Sequence, residues 1–342
     1  MPIFDFFRTH DIAIDLGTAN TLIIHNNTIV VDEPSIVAKD RLTGKVIAVG
    51  TKAQQMHGKT HDDIKTIRPL KDGVIADFDA SEFMIREFVR KIPNLSSYFK
   101  SPTLRMVICI PSGITEVEKR AVKDSAEQAG AKEVYLVQEP MAAAIGIGID
   151  VNEPKGNMII DIGGGTTEIA VLALGGIVCD KSIKVAGDVF TQDISYYLRT
   201  QHNLSIGERT AERIKIEIGA AMTNLENPPD EYPVQGRDLM TGKPKQVMIT
   251  SDEIARALDK SISQIEEAIL QALALTPAEL SADIYNTGIY LAGGGSMLRG
   301  LDRRISIKTE LPVCIAEDPL TAVVRGTGIC LKNLDKFGFL MK

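Results

Sequence analysis

Brief apolar runs ending in glycine-rich turns alternate along this chain with longer stretches of helical period. Ile12-Ala13-Ile14 and Met158-Ile159-Ile160 each read as a buried strand, since each run is short, rich in β-branched residues and followed at once by turn formers. The first passes into Asp15-Leu16-Gly17-Thr18-Ala19-Asn20-Thr21 and the second into Asp161-Ile162-Gly163-Gly164-Gly165-Thr166-Thr167. Placing Asp15 on Asp161 pairs Ile14 with Ile160, Gly17 with Gly163 and Thr21 with Thr167, so the chain contains a duplicated hairpin. A third turn, Gly293-Gly294-Gly295-Ser296, follows Ile289-Tyr290-Leu291-Ala292.

Between these turns the pattern predicts strands over 22–24, 29–31, 46–49, 104–110, 134–137, 169–174 and 177–179, with Asn26-Asn27 as a hairpin turn. A hairpin over 234–236 and 246–249 turns at Thr241-Gly242-Lys243-Pro244. Helices are expected over 81–92, with Met84, Ile85, Phe88, Val89 and Ile92 inward and Pro93 as the stop, and over 141–147, which Pro140 opens. Thr115 with Glu118 and Thr250 with Glu253 have the spacing of capping boxes. The second box opens a long helix with Ile254, Leu258, Ile262, Ile265, Ile269 and Leu273 on one stripe. Val185-Ala186-Gly187-Asp188 opens another helix, and one more is expected over 208–222. The third glycine turn should lead into a helix carrying Leu298, Leu301 and Ile305, and Asp318-Pro319 should begin the last one. Strands alternating with helices around two related hairpins imply an α/β fold made of two duplicated halves.

Glycine-rich turns after strands suit anions, because backbone N–H groups can approach closely and threonine hydroxyls add donors. Asp161, at its strand's end, is placed to hold Mg²⁺ through water. Two such hairpins suggest two halves facing one Mg²⁺–polyphosphate. Glu139 falls between a strand and a helix, where open α/β sheets bind ligands; a water-orienting carboxylate and a salt-bridged one both fit that position. Glu212 and Lys215 share a helical face at i,i+3 spacing, which by itself describes a surface ion pair.

The 342 residues suffice for two cores, and 44% apolar with 24% charged residues is ordinary globular composition. A net charge of −7, few aromatics and no Trp argue against a nucleic-acid partner. Cys109, Cys179, Cys314 and Cys330 lack metal-site spacing and read as buried reduced thiols, as in a reducing cytosol. No apolar run reaches the ~20 residues of a bilayer span. Two stretches invite a membrane surface instead: the N-terminal Ile3, Phe4, Phe6 and Phe7, and the loop with Leu95, Tyr98 and Phe99 between two prolines. Packing against the neighbouring domain is the alternative for both.

Quoted in order, IDLGTANTLI, RPLKDGVIADF, IPSGITEVEKRAV, QEPMAAAIG, DIGGGTTEIAV, ERIKIEIG, GRDLMTGKP and LAGGGSMLRGL resemble the actin–chaperone–sugar kinase ATPase superfamily, and within it the MreB family of bacterial actins. The resemblance implies an actin-like ATPase fold with nucleotide in the cleft between two lobes, each with a five-stranded sheet and a smaller inserted subdomain. Residues 1–32, 77–143 and 320–342 would form subdomain IA, 33–76 IB, 144–180 and 249–319 IIA, and 181–248 IIB. It assigns phosphate contacts to Thr18, Ala19, Asn20, Gly163, Gly164, Gly165 and Thr166, and Mg²⁺, mainly through water, to Asp15 and Asp161. Glu212 and Lys215 would contact the ribose and adenine of ATP or ADP, and Gly293, Gly294, Gly295, Ser296 and Met297 would close the adenosine side. Gly187 would be a further nucleotide contact, and Glu139 and Thr166 would position the attacking water. It further implies slow ATP hydrolysis, head-to-tail filaments paired antiparallel with the helix from Thr115 contributing to the pairing, and peripheral attachment to the inner face of the cytoplasmic membrane. The expected role is guiding wall synthesis and rod shape with membrane proteins of the RodZ, MreC, MreD and RodA type. A small-molecule kinase, which would need an Asp base and a cleft pocket, and a chaperone-type ATPase, which would need a peptide-binding domain after the ATPase, are the rival readings. A plasmid-segregating actin is the third.

Overall fold

The computed structural model describes residues 9–59, 62–93 and 103–342. Two five-stranded sheets carry the architecture. The first runs Thr28–Pro34, Asn20–His25, Thr9–Leu16, Thr103–Ile110, Ala131–Gln138, and the second Gly176–Ile183, Thr167–Ala173, Asn157–Ile162, Ile289–Ala292, Val313–Ile315. In each, the first three strands are antiparallel neighbours and the last two run parallel to the central one. The duplication extends to register: Asp15 faces Leu22 and Leu16 faces Thr21, just as Asp161 faces Glu168 and Ile162 faces Thr167.

Period-two alternation decides which core each face meets. Ile12, Ile14 and Leu16 pack beneath helices Phe78–Arg90 and Glu116–Gln128. Met158, Ile160 and Ile162 pack beneath Gly187–Gln201 and Ser251–Leu275, whose expected stripe is buried apart from half-buried Leu273. The opposite faces, with Ala13 and Val107 from one sheet and Ile159 and Ala170 from the other, share a third core around helices Glu139–Ile147 and Ala322–Lys332. These two helices cross in near backbone contact: a Cβ on Gly146 would overlap the Ala322 carbonyl, and one on Gly326 the Ala142 carbonyl.

Both capping boxes form. Other elements differ from the sequence reading. Helix Phe78–Arg90 starts three residues early because the Asp77 side chain caps it, accepting from the Ala80 N–H at 2.9 Å. The helix from Glu208 ends at Ile218 rather than Met222, since the chain turns at Gly219 and Ala221 donates to the Arg299 carbonyl at 2.8 Å. After the third turn, Gly294–Met297 is a short 3₁₀ segment, and Leu298 precedes a separate helix, Leu301–Thr309. The last helix begins at Ala322 and not at Asp318-Pro319, because the Pro319 carbonyl is used by the Gly293 N–H at 2.9 Å. Cys109 and Cys330 are buried, but Cys314 is exposed on an edge strand and Cys179 is half-buried; all four are free thiols.

Two three-stranded sheets, one over residues 37–67 and one over residues 204–249, stand off the main sheets. Their hairpin tips reveal a second internal repeat that the hydropathy pattern concealed, Asp40-Arg41-Leu42-Thr43-Gly44-Lys45 and Asp238-Leu239-Met240-Thr241-Gly242-Lys243. Asp40 Oδ1 accepts from the N–H groups of Leu42 and Thr43 at 3.0 and 2.7 Å, and Asp238 Oδ1 from those of Met240 and Thr241 at 2.9 and 2.8 Å. Each tip thus holds a large apolar side chain far outward, Leu42 at 86% and Met240 at 80% exposure.

Candidate functional site

Because the two sheets share one topology, their strand–Asp–turn units meet across the molecule. The approach is close enough to exclude side chains: a Cβ on Gly164 would lie 2.7 Å from that of Ala19, and one on Gly165 2.7 Å from Thr18 Oγ1. Thr18 Oγ1 accepts from the Gly73 N–H at 3.0 Å. The Gly163 N–H donates to the Thr166 carbonyl at 3.0 Å, closing the second turn. The carbonyls of Gly163 and Gly164 accept from the N–H groups of Gly187 and Asp188 at 3.1 and 2.8 Å, which ties that turn to the start of helix Gly187–Gln201. Thr18, Ala19, Gly163, Gly164, Gly165, Thr166 and Gly187 are therefore brought together, with Asn20 exposed at the rim.

Beneath the turns lies concentrated negative charge. Asp161 is 6% exposed, and burial with Asp15 and Glu168 nearby pushes its carboxyl up to about 7. Burial likewise pushes Asp15 up to about 6, opposed in part by Cys109 Sγ, which donates to Oδ1 at 3.1 Å. Glu139 is the first residue of helix Glu139–Ile147, and burial together with Glu168, Asp161 and Asp15 holds it well above the usual carboxylate range. The fourth acid, Glu168, escaped the sequence reading. It is fully buried and joins the two halves: Oε2 accepts from Ser112 N–H and Oγ at 3.2 and 2.7 Å, and Oε1 from Ser182 Oγ at 2.6 Å. Its signal was available, as a lone acid opening the otherwise apolar run Ile169-Ala170-Val171-Leu172.

The expected base-side residues also form one network. Lys215 Nζ donates to the Gly187 carbonyl at 2.9 Å, to Thr191 Oγ1 at 3.1 Å and to Glu212 Oε2 at 2.7 Å, and Thr191 Oγ1 donates to the same Glu212 oxygen at 2.6 Å. The ion pair of the sequence reading exists, and Lys215 additionally fixes the backbone at Gly187. On the far side, Gly293 at φ 78° lies so close to Asp161 that a Cβ would overlap its carboxylate. A Cβ on Gly295 would overlap Ile162, buried Ser296 donates to the Gly293 carbonyl at 2.7 Å, and Met297 stands out at 56% exposure beside Gly294. Ile3, Phe4, Phe6, Phe7, Leu95, Tyr98 and Phe99 lie outside the described residues. No helix among the described residues is long and apolar enough to cross a membrane.

A divalent cation suits this donor set. Burial raises Asp15, Asp161 and Glu139 above their ordinary range, and a positive ion beside them would favour their charged forms. Among the described residues no group of three or more His, Cys, Asp or Glu side chains is arranged to ligate a metal directly, so water and substrate oxygens would complete its shell.

The chain is similar along nearly its whole length to characterised proteins. The family model described as MreB/Mbl protein matches residues 9–338. The cell shape-determining protein Mbl of Bacillus subtilis is 47% identical over 327 residues, covering 95% of this chain and 97% of that protein. The cell shape-determining protein MreB of Escherichia coli is 47% identical over 335 residues, covering 96% and 95%. Among solved structures, MreB5 of Spiroplasma citri bound to AMPPNP superposes with a TM-score of 0.90 at 38% identity, covering 96% of this chain and 97% of that one. The MamK double helical filament, at 22% identity and a TM-score of 0.79 over 96% of this chain and 99% of that one, shares the actin-like fold. A family match spanning both duplicated halves, with curated relatives far above the identity at which fold and family coincide, places the chain in the MreB/Mbl family of actin-like proteins.

Proposed function

We propose that this protein is a filament-forming actin homologue that binds and slowly hydrolyses ATP between its two lobes and acts in determining cell shape. One observation carries the reading: two glycine turns face each other, without room for a Cβ, above a cluster of buried carboxylates. It is supported by relatives named as cell shape-determining proteins and by MreB5 of Spiroplasma citri, solved bound to AMPPNP and to ADP.

Thr18, Ala19 and Asn20 from one side, and Gly163, Gly164, Gly165 and Thr166 from the other, would hold the phosphates through backbone N–H groups and hydroxyls. Asp15 and Asp161 would hold Mg²⁺ through water, and the ion would supply neutralisation of the phosphate charge. Lys215 anchors the carbonyl of Gly187, and Glu212 has one carboxylate oxygen committed to Lys215 and Thr191; the two would contact ribose and adenine. Gly293, Gly294, Gly295, Ser296 and Met297 would close the base side. Glu139, together with Thr166, would orient the attacking water, and Glu139 sits in the first turn of a helix that Pro140 opens. The four-subdomain division stated above, with hairpin tips at 40–45 and 238–243 outermost in subdomains IB and IIB, is part of the same proposal.

Assembly would be head to tail, a contact that does not close and so generates a filament. Attachment to the inner face of the cytoplasmic membrane would use Ile3, Phe4, Phe6 and Phe7 ahead of Leu95, Tyr98 and Phe99, because a chain of net charge −7 gains little from an anionic leaflet. The partners proposed there are wall-synthesis membrane proteins of the RodZ, MreC, MreD and RodA type.

The direct test is Glu139→Ala. ATP binding should persist while phosphate release falls by roughly 100-fold, the usual scale for loss of a positioned acid–base group; unchanged turnover would remove Glu139 from the mechanism. For the membrane, Phe4→Ser with Phe7→Ser should weaken co-sedimentation with anionic liposomes and leave assembly in solution intact. Binding that survives both changes would transfer the role to Leu95, Tyr98 and Phe99.

A further inference from the structure

We propose that Arg68 is a positioning residue for this cleft, fastening the small sheet of the first half to the start of helix Gly187–Gln201 and so holding the two phosphate turns face to face. The inference rests on the nucleotide reading above and adds the group that retains the closed geometry. Arg68 follows strand Ile64–Ile67 and uses both arms of its guanidinium across the cleft. Nη1 donates to Asp188 Oδ1 and Oδ2 at 2.8 and 3.0 Å, and Nη2 to Glu208 Oε1 at 2.6 Å. Glu208 Oε2 lies 3.0 Å from His57 Nε2, and His57 Nδ1 lies 2.7 Å from Thr66 Oγ1, so two side chains of the first half grip two of the second.

What makes this more than a surface pair is what Asp188 and the Arg68 segment touch. Asp188 donates its N–H to the Gly164 carbonyl at 2.8 Å, and the preceding Gly187 holds Gly163 on one side and Lys215 on the other. Four residues beyond Arg68, the turn at Asp72-Gly73 meets both phosphate turns. Gly73 N–H donates to Thr18 Oγ1 at 3.0 Å, a Cβ on Gly73 would lie 3.3 Å from Thr166 Cγ2, and Asp72 Cα lies 3.1 Å from where a Gly165 Cβ would be. Lys184 adds a longer tether to Asp72 at 3.6 Å. Moving Arg68 off Asp188 therefore releases the second turn and the segment that spans the two turns together. Single partly exposed ion pairs contribute little, but a planar fork bridging two carboxylates is a geometry that lysine cannot reproduce.

The test follows release of fluorescent N-methylanthraniloyl-ATP from the full chain with Mg²⁺, and, without nucleotide, amide hydrogen exchange over residues 185–192. Arg68→Ala should speed release about tenfold, a loss of about 1.4 kcal/mol, and quicken exchange at Asp188. Arg68→Lys should fall between. Asp188→Asn should weaken retention alone yet add little in the Arg68→Ala background, since the two groups act as one. A single-turnover rate on bound ATP that changes less than release separates positioning from general loss of fold. Unchanged release and exchange in Arg68→Ala, or effects of the two substitutions that simply multiply, would overturn the proposal. If the parent protein retains no nucleotide while Arg68→Ala still quickens exchange at 185–192, the nucleotide reading fails and the tether stands.

Discussion

Replacing Asp161 with Asn should make the nucleotide-free protein more stable, even though Asp161 sits at the centre of the proposed site. The folded chain holds this carboxyl at about 7 against an ordinary 3.8. At ~1.36 kcal/mol per unit, three units correspond to about 4 kcal/mol of destabilisation once the unfolded chain is ionised and the folded one must follow. The sign follows from proton counting. Below pH ~4 both states are protonated and nothing is lost. As pH rises toward 7 the unfolded state has released the proton and the folded state has not, so stability falls until the folded carboxyl ionises as well. Asn has the same shape and never ionises, and removing the charge also eases Glu139, whose carboxyl Asp161 helps to raise.

The assay is urea unfolding in EDTA, without nucleotide, at pH 4 and at pH 8, comparing midpoints at equal slope. Asp161→Asn should match the parent near pH 4 and exceed it by about 2–4 kcal/mol at pH 8. Glu33, Asp77 and Glu253, held below their usual range mainly by hydrogen bonds and ion pairs that outweigh their burial, lose stability as pH falls in both proteins and cancel in the difference. Adding Mg·ATP should raise the midpoint of the parent and move the variant little. A variant less stable than the parent at pH 8, or an increment that does not vary with pH, would refute the argument that buried charge is the cost.

Two further predictions concern the scaffold. Arg304 pairs with Glu266, whose side chain is only 8% exposed, through Nε at 2.9 Å, and Nη1 reaches the Ala221 carbonyl at 2.8 Å. Arg304→Ala should therefore cost about 3–5 kcal/mol in urea, the penalty for stranding a buried charge, with nucleotide binding retained in the folded fraction. At the crossing of helices Glu139–Ile147 and Ala322–Lys332, Gly326→Ala should lower the thermal midpoint despite alanine's better helix propensity, because overpacking here forces backbone apart at ~1–3 kcal/mol or more. A raised midpoint would mean that the helices separate freely.

How much of this was legible depended on whether local signals competed with distant partners. The hairpins at Asp15 and Asp161 were readable because period-two burial and turn glycines agree, and agreement of that kind also fixed their register. The stripe from Ile254 to Leu273 was readable for the same reason, with Thr250 and Glu253 marking its start. Asp318-Pro319 had the local chemistry of a helix start, yet the third glycine turn took the Pro319 carbonyl and displaced the helix to Ala322. The helix from Glu208 kept its apolar face to Ile218 and then lost its last turn to a bridge with Arg299, some eighty positions away, which no local window contains. Arg68 was invisible for the same reason: its partners Asp188 and Glu208 lie in the other half of the chain.

The duplicated hairpin explains the two facing turns but not the chemistry between them, which comes from where the halves differ. A strictly repeated unit would bury two acids, Asp15 and Asp161. The position that holds Leu22 in the first half holds Glu168 in the second, at the same register opposite the aspartate, and Glu139 enters from a helix start at the shared core. Two further carboxylates thus join the pair, with Glu168 bonded to Ser112 of the other half. Repulsion among them raises Glu139 and Asp161, and on the proposed reading the same charge would reward a cation that enters the cleft. Cross-cleft tethers such as Arg68 to Asp188 would work against that repulsion at the mouth. The pH dependence of Asp161→Asn measures the cost of that buried charge from the stability side.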